Sequence, residues 1–311
     1  MKTRLRLLTL AASILTWVCF ASPDNLELGT PGPCDQVINR TGYALGYCEK
    51  WELARWVTYR LTADEVLNQK VSRMNAFQID PEIKTGSASL EDYRGSGYDR
   101  GHLAPAADMK WSREAMIECF YMSNMTPQDR GCNGGIWNEI ENTVRGFACS
   151  EDSIFIVTGP IVSDEPKTIG SNRVAVPDGY YKVIYDETPP QKMIGFIVPN
   201  QNVKGKPKDY ACSVAEVEKR TGLVFFPKLG ATSLKQSCDV NAWNWSKSQK
   251  RSVAKSTPGG HSDGVREEYR AGSGAISQRA AAPVCDKWPE TGYWLNTNSN
   301  KRHNKDRKSV V

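Results

Sequence analysis

The chain has 311 residues, with 40 Lys and Arg against 35 Asp and Glu, a formal net charge of +5 and only three histidines. The charge is unevenly placed: 246–311 carries thirteen basic and six acidic residues, and 1–21 three basic ones, which leaves 22–245 at −5. That balance excludes a uniformly basic nucleic-acid-binding body, so the cations of the body either converge on one cleft or leave long-range attraction to the tail.

Residues 1–21 read as an export signal: Lys2, Arg4 and Arg6, an apolar run from Leu7 to Phe20, then the small Ala21. The run is shorter than the roughly 20 residues of a membrane span, and no second apolar stretch of that length follows. The expectation is a soluble product, secreted or periplasmic, with no membrane span. Cys19 leaves with the signal and Trp17 and Val18 disfavour a lipid anchor there, so eight cysteines remain, none in a Cys-x-x-Cys pair. In an exported chain this favours disulfide bonds over zinc. Cys34 with Cys48 and Cys212 with Cys238 are the local pairs.

Along the chain, 56–61 alternates like a half-buried strand, and 153–160 reads as a buried strand closed by a Gly-Pro turn. Strands follow at 180–185 and 193–198, separated by a turn-rich segment at 186–191. Helices are predicted at 113–119, 135–147 and 214–221, the last capped by Gly222. The expected fold is α+β, a mostly antiparallel central sheet with flanking helices. It occupies 30–245, with a basic low-complexity linker over 246–284 and a short C-terminal element over 285–311.

The chemistry centres on Tyr98-Asp99-Arg100-Gly101-His102-Leu103-Ala104-Pro105. His261 and His303 lie in the polar tail, so a neutral-pH imidazole base in the body is His102. Asp99, Arg100 and Gly101 add a charge partner, a phosphate clamp and a tight turn. Downstream, Ile136, Ile140 and Val144 form one apolar helix stripe, with Asn133 at or just before its start. Asn133 there either caps the helix or offers a neutral oxygen to Mg²⁺, which keeps several waters. Glu141, eight residues or about 12 Å further along a helix, cannot share that ion directly and suits holding its waters.

Asp-Arg-Gly-His-x-Ala-Pro, then Ser-Asn-x-Thr-Pro-Gln at 123–128, then Asn-x-Gly-x-Trp at 133–137 with Glu141 behind it, resembles the DNA/RNA non-specific endonucleases of the ββα-metal type. The resemblance covers about 51–240. It implies a ββα-metal motif and hydrolysis of DNA and RNA to 5′-phosphate ends, with Mg²⁺ or Mn²⁺ as cofactor. By it, His102 is the general base, Asn133 the direct metal ligand, Arg100 a phosphate partner and Arg73 a second one. Asp99 and Glu141 bind waters of the metal, and Asn124 holds its loop. Other readings of the same residues are a catalytically inactive nucleic-acid-binding relative and a delivered nuclease toxin. In the tail, Cys285, Trp288, Tyr293, Trp294 and Leu295 suggest a small packed element.

Overall fold

The computed structural model describes residues 24–245 and two C-terminal strands, Tyr293–Asn296 and Lys301–Asn304. The expected signal at 1–21 and linker at 246–284 lie outside the described residues. The two C-terminal strands pair antiparallel as a hairpin.

In chain order the body comprises β1 (Gln36–Asn39), β2 (Ala44–Cys48), β3 (Leu53–Thr62), α1 (Ala63–Leu67), α2 (Leu90–Tyr93), β4 (Asp99–His102) and α3 (Arg113–Glu118). There follow β5 (Met125–Gln128), α4 (Arg130–Cys132), a π-helical turn over Asn133–Trp137, α5 (Asn138–Ser150), β6 (Ser153–Ile161), β7 (Thr168–Ile169) and β8 (Val174–Ala175). The last elements are β9 (Gly179–Asp186), β10 (Lys192–Pro199), β11 (Ala211–Cys212) and α6 (Val214–Thr221).

Seven strands form one sheet in the order β1-β2-β3-β6-β9-β10-β11, each neighbour antiparallel. The two-residue period of a strand sends alternate side chains to opposite faces. Val57, Tyr59, Ile154, Ile156, Tyr180 and Ile184 join the cluster under α5, while Trp56, Phe155, Val157, Tyr181 and Val183 join the one under α6. With both faces covered, β3 is buried along most of its length rather than half-buried as the alternation at 56–61 suggested. Helix α6 starts on Ser213, whose side chain accepts from the Glu216 amide, and ends at Gly222 in the left-handed conformation, φ +66°.

The site is carried outside this sheet. Strands β4 and β5 pair antiparallel with Asp99 opposite Gln128 and His102 opposite Met125. The chain then turns through α4 and the π-helical turn into α5, whose Ile140, Val144, Phe147 and Ala148 pack on the sheet. Tyr180 of β9 fastens the ribbon from below: its hydroxyl donates to the Pro127 carbonyl at 3.1 Å and accepts from Thr126 Oγ1 at 3.1 Å. Asn200 ties the same corner, donating to the Pro127 carbonyl at 3.0 Å and accepting from the Asp129 amide at 2.7 Å.

Two expectations are corrected. Asp129, not Asn133, caps the helical segment, accepting from the amides of Gly131 at 2.8 Å and Cys132 at 3.0 Å. The amides of the first turn are thereby satisfied from a cap four residues earlier, and the Asn133 side chain is left for another partner. The Cys212–Cys238 pair is not closed, both being thiols, as are Cys119, Cys132 and Cys149. Burial pushes Cys119 up to about 12 and Cys132 to about 11, which marks both as packed rather than reactive thiols. Among the described residues no helix is long and apolar enough to cross a membrane.

Candidate active site

His102 ends β4 and is 9% exposed, with Nε2 buried and without a hydrogen-bond partner. Its ring stands edge-on to Phe120, centroids 4.9 Å apart, and 5.8 Å from Phe77. Each of those aromatics carries an arginine: the Arg100 guanidinium lies 4.2 Å from the Phe77 ring and that of Arg73 5.2 Å from Phe120. Burial, reinforced by the charges of Arg73 and Arg100, brings His102 down to about 3, so the imidazole is neutral across the whole physiological range.

Asn133 reaches back to the same strand. Its Nδ2 donates to Asp99 Oδ2 at 3.1 Å, which fixes the amide plane and turns the carbonyl oxygen away from Asp99. The other Asp99 oxygen makes a 3.5 Å contact with Arg130, whose side chain is almost fully exposed; exposed pairs of that kind contribute little. Gly101 between Arg100 and His102 is required by space: a Cβ there would stand 2.0 Å from Gln128 Oε1 across the ribbon.

Asn124 is fully buried and holds the chain directly after His102. Its Nδ2 donates to the carbonyls of Ala104 at 3.0 Å and Cys119 at 2.8 Å, its Oδ1 accepts from the Ala104 amide at 2.9 Å, and its own carbonyl accepts from Leu103 at 3.0 Å. Glu141 is half-buried on α5. Burial lifts its carboxyl to about 7 against the opposing charges of Lys182, Arg145 and Arg73.

Of the seven residues singled out in the sequence, Asp99, Arg100 and His102 lie on β4, Asn124 in the turn before β5, Asn133 in the π-helical turn and Glu141 on α5, while Arg73 comes from the irregular segment between α1 and α2 and reaches the site over Phe120. The sequence reading missed Phe77 and Phe120, which wall the imidazole, and the buried Asp108, which takes the Tyr59 hydroxyl at 2.8 Å and Arg145 at 2.6 Å. It also missed Lys182. The signals were present: Arg145 stands four residues after Glu141, and Lys182 interrupts an apolar strand.

Among the described residues no group of three or more His, Cys, Asp or Glu side chains could enclose a metal ion. The donor set fits a hard cation that keeps its water: one neutral amide oxygen from Asn133, with the Asp99 and Glu141 carboxylates as acceptors for coordinated waters.

An α+β fold that presents a histidine on one strand of a two-stranded ribbon and an amide at the base of the following helix defines the ββα-metal class. The chain belongs to the DNA/RNA non-specific endonuclease family, whose model matches residues 21–232. It is similar to human mitochondrial nuclease EXOG, 36% identical over 220 residues that cover 65% of this chain and 60% of that one. Nuclease C1 of Cunninghamella echinulata var. echinulata is 34% identical over 230 residues, 68% of this chain and 91% of the relative. Human mitochondrial endonuclease G is 32% identical over 218 residues, 65% and 73% of the two chains. In three dimensions the chain matches a structure described as the EndoG/EndoGI complex with a TM-score of 0.61 and 32% identity, covering 66% of this chain and 90% of that one.

Proposed function

We propose that the protein is an exported endonuclease that hydrolyses DNA and RNA with no sequence preference, leaves 5′-phosphate ends and uses Mg²⁺ or Mn²⁺. The observation that carries this reading is the buried His102 imidazole on the same short strand whose Asp99 holds the Asn133 amide. Export rests on residues 1–21, and the curated EXOG and endonuclease G relatives are named mitochondrial.

His102 takes a proton from a water, whose oxygen attacks phosphorus in line while the bond from phosphorus to the 3′ oxygen breaks. The phosphate stays on the 5′ side, the 3′ oxygen leaves taking a proton from solvent water to become a hydroxyl, and His102 later returns its own proton to solvent. Arg100 and Arg73 grip the phosphate. Its negative charge offsets the two guanidinium charges that depress His102, so substrate binding raises the basicity of the ring where it is needed. Asn133 would hold the divalent cation, with Asp99 and Glu141 on its waters. Such an ion neutralises the phosphate and stabilises the departing oxygen. Asn124 keeps the backbone behind His102 fixed. Contacts of these kinds grip the sugar-phosphate backbone and read no base edge.

The test is digestion of supercoiled plasmid and of single-stranded RNA with Mg²⁺, with and without EDTA, followed by end-group analysis. Cleavage of both polymers to 5′-phosphate ends, abolished by EDTA, is expected. Cleavage of one sugar type alone, or binding without cleavage by the wild type, would refute the reading and favour the inactive relative.

A further inference from the structure

The cleavage steps above give the Lys182 ammonium no role. Lys182 lies within β9, opposite Thr158 of β6 and Phe196 of β10, and shares the parity of Tyr180 and Ile184, which face α5. It is 1% exposed and its Nζ has no hydrogen-bond partner. Lysine is almost never buried in this way without a compensating charge.

The element packed over that face is α5. Trp137, Glu141 and Arg145 recur every fourth residue and share one helix face. The Trp137 ring lies 5.0 Å from Lys182 Nζ at one end of this stripe, and Arg145 at the other is committed to Asp108 at 2.6 Å. Glu141 stands between them, the one anionic side chain of the stripe.

We propose that Lys182 is a positioning residue for Glu141: its ammonium, sealed between sheet and helix, is the fixed cation beneath that carboxylate and holds it at the floor of the cleft. The titratable and charged groups around the pair are Arg145 on α5, Asp108 after β4, Tyr59 on β3 and Arg73 before β4. Burial depresses the Lys182 ammonium, and the charge of Glu141 is the foremost influence opposing that. Burial raises Glu141, and Lys182 is the foremost influence opposing that in turn. Each favours the charged form of the other against the burial that opposes it. The consequence for cleavage rests on the nuclease reading, whereas the pairing itself does not.

The test compares Lys182→Met and Lys182→Arg with the wild type. In metal-free protein carrying ¹³C at the glutamate carboxyl, NMR follows the Glu141 titration, assigned with Glu141→Gln. In parallel, kcat and KM on duplex DNA are measured against pH at saturating Mg²⁺, and thermal melts verify folding. Lys182→Met is expected to raise the Glu141 midpoint by about one unit, a tenfold change in proton affinity. The acid limb of kcat moves the same way, with KM nearly unchanged, and Lys182→Arg keeps both near wild type. Should the Met variant fail to fold, Lys182→Gln, which puts a neutral amide in the same space, carries the comparison. A neutral variant whose Glu141 midpoint does not move, or an Arg variant that shifts as far as the neutral one, overturns the proposal. A shifted midpoint in a protein that cuts no nucleic acid upholds the pairing and refutes only the nuclease reading.

Discussion

Asn124→Ala isolates what holds the backbone behind the His102 ring. The substitution removes three side-chain hydrogen bonds, two donated to the carbonyls of Ala104 and Cys119 at 3.0 and 2.8 Å and one accepted from the Ala104 amide at 2.9 Å. At about 1 kcal/mol net for each bond the loss is about 3 kcal/mol, before the cost of leaving buried backbone groups unpaired. A domain of this size loses about 2–4 °C of Tm per kcal/mol, so calorimetry should show a fall of about 6–12 °C. Plasmid cleavage below the melting range should lose kcat, because residues 103 and 104 follow His102 directly. Asn124→Asp sharpens the point: it is isosteric and keeps one acceptor, yet turns an oxygen toward two carbonyls that need a donor. It should be at least as damaging as alanine. An alanine variant that melts within about 2 °C of wild type and cleaves normally would refute the reasoning.

Gly101→Ala drives a Cβ to 2.0 Å from Gln128 Oε1 and 2.7 Å from Gln128 Cβ; overpacking of this kind costs about 1–3 kcal/mol, and cleavage should fall further than the melt does, whereas an unchanged melt contradicts it. His102, held at about 3 against the usual 6.5, should show no NMR titration between pH 5 and 8, and a midpoint near 6.5 would show that the ring is not sealed. Because the unfolded chain takes that proton below about 6.5 and the folded one does not, stability is complete above pH 6.5 and declines as pH falls toward 3; His102→Gln should flatten that slope in acid unfolding curves. Arg100→Ala should raise KM for DNA and reduce the salt dependence of binding by about one phosphate contact, and an unaltered salt slope would take Arg100 off the phosphate.

The candidate site was legible because its residues are local in the chain. Asp99 to His102 is one strand, and the apolar stripe of Ile136, Ile140 and Val144 placed the helix that carries Glu141. Asn133, expected at or just before the helix start, lies inside the helical segment and is not its cap. Asp129 satisfies the first amides of α4, and the chain then passes through a π-helical turn in which Gly135 adopts φ −102°, ψ −117°, a kink that apolar periodicity does not report. The groups that set the electrostatics were hidden for a different reason. Asp108, Tyr59 and Lys182 meet only through packing between β3, β9 and α5, and no spacing along the chain brings them together. Strand β2 went unseen because it is buried at every position and offers no alternation to read.

The most direct test is plasmid cleavage by His102→Ala in saturating Mg²⁺, at a protein concentration where the variant is shown to be folded and to bind DNA. The cleavage rate is expected to fall by about 10²–10⁴, the share of a lost general base. A variant that cuts at the wild-type rate would mean that the imidazole at the end of β4 is not the base.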